Sequence, residues 1–100
     1  MKKNRTSVSR HEYLIKDLQD PEFAAEYLNV VLEEGDEKMI LKALRNVAEA
    51  AGGMGEVAKR AHLSRMTLYR ALSKNGNPEF SSFLEILKAL KIKVVFKSAA

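Results

Sequence analysis

The chain has 100 residues, 46% apolar and 30% charged, enough for one small domain with a single core. It has no cysteine, which excludes a disulfide framework, a zinc finger and thiol chemistry, and no run approaches the roughly 18 apolar residues of a membrane span. The formal net charge of +4 is unevenly spread: residues 1–10 hold four bases and no acid, residues 11–52 ten acids against four bases, and residues 53–100 nine bases against three acids.

In chain order, residues 1–10 are polar, basic (Lys2, Lys3, Arg5, Arg10) and without periodicity. They read as a disordered arm, either an idle tail or an arm adding phosphate or minor-groove contacts. Residues 11–100 read as one domain. A weakly specified short helix spans His11 to Leu18. Asp20-Pro21-Glu22 then gives a strong helix start, Asp as N-cap and Pro in the first turn. Phe23, Ala24, Tyr27, Leu28 and Val31 form its apolar stripe. Gly35 ends it and Asp36 caps the next helix, whose stripe is Ile40, Ala43, Leu44, Val47 and Ala51. Gly52-Gly53 stops that helix.

Residues 54–72 carry the most informative pattern, GEVAKRAHLSRMTLYRAL from Gly55 to Leu72. It reads as two short amphipathic helices joined by a tight turn, the layout of a DNA-binding helix-turn-helix. Val57, Ala58 and Ala61 face inward, Leu63 plugs the turn, and Ser64 caps the second helix. Leu68, Ala71 and Leu72 supply that helix's buried stripe. Arg65, Met66, Thr67, Tyr69 and Arg70 are left outward, followed by Lys74 and Asn75. Arg and Thr reach base edges and phosphates in a major groove. Spacing alone fits equally well a helical hairpin with a solvated charged face. The charge map favours nucleic acid, because the basic half of the chain contains this helix.

Asn75-Gly76-Asn77-Pro78 is dense turn chemistry. The helix after it starts near Glu79, or at Ser82 with Ser82 and Glu85 as a capping box, and places Phe83, Leu84, Leu87 and Leu90 inward. Residues 92–97 alternate Ile92, Val94 and Phe96 with Lys93, Val95 and Lys97, a strand signal. A lone strand has no ladder partner. It pairs with its own copy or with a strand edge of another protein, or else packs as an extended tail.

The run from Asp20 to Leu90 resembles the HigA-like addiction-module antidote proteins, the antitoxins of bacterial toxin–antitoxin pairs. AEYLNVVLEEGD, ALRNVAEAAGGM, LSRMTLYRALS and GNPEFSSFLEILKAL carry the resemblance. It implies an all-α, five-helix, lambda-repressor-like (Xre) helix-turn-helix domain, here with a short C-terminal β-strand. It also implies a homodimer on palindromic operator DNA, transcriptional autorepression, and neutralisation of a RelE/HigB-like ribosome-dependent ribonuclease toxin. Two positions depart from the family pattern. His62 stands where the turn usually has Gly, a left-handed position that strains a non-glycine residue. Glu56 stands where Gln is common, and its carboxylate repels phosphate while suiting a helix N-terminus.

The residues expected at DNA are Ser64, Arg65, Met66, Thr67, Tyr69, Arg70, Lys74 and Asn75, with Arg65 and Thr67 on base edges and Ser64, Lys74 and Asn75 on phosphates. Enzymatic patterns are thin. GGMGE lacks the Gly-Lys-Ser/Thr of a P-loop, and His11 and His62 fall in different elements with no ligand at metal spacing. No catalysis, cofactor or metal is expected. A basic N-terminus without an apolar signal core makes a cytoplasmic location the default. Glu33, Glu34, Asp36 and Glu37 form an acidic face suited to a basic toxin, or simply a solvated helix end. A stand-alone phage-type repressor without a toxin, and a helical adaptor that binds only protein, remain the alternatives.

Overall fold

The computed structural model describes residues 9–100, so Lys2, Lys3 and Arg5 of the expected arm lie outside the described residues. Six helices follow in order: α1 (Arg10–Asp17), α2 (Pro21–Glu34), α3 (Glu37–Ala50), α4 (Met54–Arg60), α5 (Arg65–Ala71) and α6 (Phe80–Ala89). The count exceeds the five implied by the resemblance because α1 precedes the run that carries it. A capping box starts α1 one residue earlier than expected. Glu12 N–H donates to the Ser9 hydroxyl at 3.1 Å, and Ser9 N–H donates to the Glu12 carboxylate at 3.0 Å. Arg10 is therefore helical, and the arm cannot include it.

The other starts follow local chemistry. Asp20 accepts Glu22 N–H at 3.0 Å with Pro21 in the first turn, and Asp36 accepts Met39 N–H at 2.9 Å. α6 begins after Glu79, which makes no side-chain cap bond, so the Ser82 start is not used. α3 is the central element, packed against α1, α2 and α4. It buries Leu41, Ala43, Leu44, Val47 and Ala48, together with Asn46, whose amide donates to the Tyr27 hydroxyl at 3.0 Å. Leu18, Val57, Leu68, Leu72, Ile86 and Leu90 complete the core.

Three helices end in the same way. Gly52, His62 and Lys91 adopt positive φ (118°, 60° and 62°). The next N–H in each case, from Gly53, Leu63 and Ile92, closes back at 2.9 Å on the carbonyls of Ala48, Ala58 and Leu87, a Schellman arrangement. Two arginines satisfy other C-terminal carbonyls. Arg60 donates to Ala51 O at 3.2 Å, behind α3, and Arg45 donates to Leu72 O, behind α5. Each places a cation at the negative end of a helix dipole.

Expectations about the C-terminal segment and about two apolar side chains fail as well. The residues expected as strand 92–97 form no strand, and no described residue is in one. Ile92 is held by the α6 terminus, but Val94, Val95 and Phe96 stand in solvent, Phe96 at 93% exposure. The alternating pattern is present, yet this single chain offers no second strand to bond its backbone. In α6, Leu84 is exposed and Ile86 is fully buried in its place, while Phe23 at the start of α2 is also exposed. Both misplaced side chains sit at the edge of a stripe whose centre packs as expected. No helix among the described residues is long and apolar enough to cross a membrane.

Candidate nucleic-acid interface

α4 and α5 are joined by four residues, Ala61 to Ser64, and the left-handed His62 lets the chain reverse there. Val57, Ala58 and Ala61 of the first arm and Leu68, Ala71 and Leu72 of the second are buried against each other and the core. Leu63 is half-buried in the turn. This apolar underside fixes which face of α5 looks outward: Arg65, Met66, Thr67, Tyr69 and Arg70 are all exposed, Met66 at 64%.

The outward side chains are partly organised. The Arg65 guanidinium lies 5.8 Å from the centroid of the Tyr69 ring, within cation–π range. It also passes over Gly55, where an added Cβ would touch Arg65 Nε at 3.7 Å. Arg70 Nη2 lies 3.4 Å from Met66 Sδ one turn back. Ser64 Oγ accepts Thr67 N–H at 3.0 Å and donates to Thr67 Oγ1 at 2.7 Å. Ser64 is therefore engaged as a helix cap, and Thr67 keeps its own hydroxyl proton for another acceptor. Glu56 accepts from Arg60 Nε at 3.2 Å, so the acid that departs from the family pattern is paired within α4.

Beyond α5 the predicted residues divide. Thr67, Arg70 and Asn75 line one open groove together with Ser73, Asn77 and Ser82. Lys74 falls on another side, over a shallow depression shared with Asp36, Lys38, Met39, Lys42 and Arg45. Arg65 and Tyr69 line neither. Gly76 makes the turn between them, because a Cβ there would lie 2.2 Å from Ala71 O, closer than any real side chain tolerates. Lys38 and Lys42 lie in the acidic part of the sequence, away from the basic half. Lys38, Lys42 and Arg45 are spaced i, i+4, i+7, which is one stripe of a helix. An average over the acidic residues 11–52 hides that stripe.

Fold and surface together define a small all-helical protein with a short polar, cationic helix held outward by a buried underside. Residues 9–98 match the family described as "probable addiction module antidote protein", and the chain belongs to that family. It is also 42% identical over 67 residues to an uncharacterized protein of Haemophilus influenzae strain Rd, a match covering 67% of this chain and 68% of that one. No solved structure matches the chain. Membership in an antidote family implies a toxin partner.

Proposed function

We propose that this protein is a cytoplasmic, sequence-specific DNA-binding antitoxin of a type II toxin–antitoxin pair. In this reading it is a homodimer of lambda-repressor-type helix-turn-helix domains. It represses its own operon and neutralises a RelE/HigB-like ribonuclease toxin. It binds and performs no chemistry of its own. Family membership supports the antitoxin role, and the outward face of α5 is the observation that supports the DNA role. Arg65, Thr67, Tyr69 and Arg70 project from a helix fixed from behind by Leu68 and Leu72. A recognition helix of this kind presents its N-terminal side chains to base edges in a major groove.

Arg65, in the first turn, is assigned to a guanine edge. Arg65→Ala should weaken binding to the chain's own promoter fragment by about 1–3 kcal/mol and relax preference at one base position. Mobility-shift titrations at fixed salt, on the promoter and on single-base variants, measure this. Equal weakening on every sequence reassigns Arg65 to phosphate. Co-purification of the chain with the product of the gene beside its own tests the toxin role, and a clean failure to associate removes it.

A further inference from the structure

We propose that Lys38, Lys42 and Lys74 form a second anion site, a clamp for backbone phosphates of duplex DNA at the C-terminal end of α5. This rests on the DNA reading above and extends the contact surface from α5 onto α3. The three lysines come from segments more than 30 residues apart in sequence and meet over one depression beside Arg45. Lys42 is the single exposed residue between Leu41 and Ala48, and Lys38 is exposed one turn earlier on the same helix. None of the three ammonium groups pairs with a carboxylate among the described residues. One carboxylate, Asp36, also lines the depression and accepts Met39 N–H as the N-cap of α3, so the cations outnumber the acid. Arg45 keeps its positive charge, with Nη1 donating to the neutral Leu72 carbonyl. That bond ties α3 to the end of α5 and fixes the lysines relative to it.

Four cations and one carboxylate around one depression leave it electropositive, which disfavours the free protein. A polyanion along the same edge reverses the sign. The scale also fits: α5 has seven residues, about 10 Å of helix, and the major groove is about 12 Å wide. A helix that enters with its first turn toward the bases carries its last turn to the groove edge, where the phosphates lie. Lys74 follows that last turn, and Lys38 and Lys42 continue the positive surface away from it.

The test is the salt dependence of binding. Full-length protein and the K38Q/K42Q and K74Q variants are titrated against the chain's own promoter fragment and a scrambled duplex of equal length, between 50 and 200 mM salt. Each phosphate contact contributes about 0.9 to the slope of log affinity against log salt. K38Q/K42Q should flatten the slope by about two units, and K74Q by about one. The double variant should therefore lose about tenfold less affinity than the wild type over that range. The change should be the same on both duplexes, because phosphates carry no sequence information. Circular-dichroism melting should match the wild type. Wild-type binding with a slope unmoved by K38Q/K42Q overturns the clamp and leaves the α5 reading standing. A wild type that retains no duplex overturns both. A slope unmoved while capture of the neighbouring gene's product is lost overturns the clamp in favour of a protein contact.

Discussion

Half the length of α2, α5 is the more firmly seated of the two. Leu68 and Leu72 are wholly buried beneath it, whereas the 14 residues of α2 fully bury only Ala24. Their outer faces differ as much. α5 turns Arg65, Thr67, Tyr69 and Arg70 to solvent. α2 carries Glu22, Glu26, Glu33 and Glu34 with no base, and leaves Phe23, Val30 and Leu32 exposed, Leu32 at 62%. A polyanion is drawn to the first surface and repelled by the second. Exposed apolar side chains rimmed by charge are the composition of a protein-facing surface. The contrast shows how one small core supports two kinds of surface, with the buried support concentrated beneath the polar, cationic helix.

The comparison breaks first at Leu72. Leu72→Ala removes a wholly buried side chain beneath the end of α5, beside the carbonyl that Arg45 bonds. It should cost about 2–5 kcal/mol in urea-unfolding experiments. A loss below about 1 kcal/mol would mean that the underside of α5 collapses readily and is no rigid support.

What was legible in the sequence was local. Asp20, Asp36 and Ser64 announce their helices because a short oxygen-bearing side chain bonds a nearby N–H, and every participant lies within three residues. His62 is found in the left-handed region, as the family pattern implies for the turn position where Gly is usual. The Ser9–Glu12 box has the same signature, but it sits at the edge of a basic, aperiodic stretch that masks it. The failures are non-local. Residues 92–97 have the alternation of a strand, and alternation says nothing about where a ladder partner is to be found. Leu84 and Ile86 differ only in which side of α6 meets α4, a choice made by packing and not by hydropathy. The lysine cluster needs residues 38, 42 and 74 brought together by the fold, and an average of charge over 42 residues of sequence cannot register it.

The turn supplies a smaller test. α5 is held against α4 through a left-handed histidine, while α2 leaves its last turn through Gly35 in extended backbone with φ of −103°. A left-handed non-glycine residue costs roughly 1–2 kcal/mol, and glycine returns about 0.5–1 kcal/mol of that through its freedom in the unfolded chain. His62→Gly should thus stabilise the protein by about 0.5–1 kcal/mol, read as a raised thermal midpoint. A destabilised variant would show that the imidazole makes a contact that outweighs the strain. Lys91→Gly at the end of α6 serves as the control, since it has nearly the same φ and does not lead into α5.

The smallest expected effect on stability is on α2, and it is the sharpest comparison. Leu32 is as apolar as Leu72 but mostly in water. Leu32→Ser removes little buried surface and no hydrogen bond, so the unfolding free energy should stay within about 0.5 kcal/mol of the wild type. The slight loss of helix propensity is offset by the loss of apolar surface exposed to solvent. If α2 faces a protein, the same substitution should weaken capture of the neighbouring gene's product while DNA binding is unchanged. Arg65→Ala should do the reverse. Two single substitutions with opposite effects on two partners, neither unfolding the chain, would separate the surfaces functionally. If Leu32→Ser instead destabilised the protein by as much as Leu72→Ala, α2 would have to be as firmly anchored as α5, and the division between a supported face and an adhesive one would be lost.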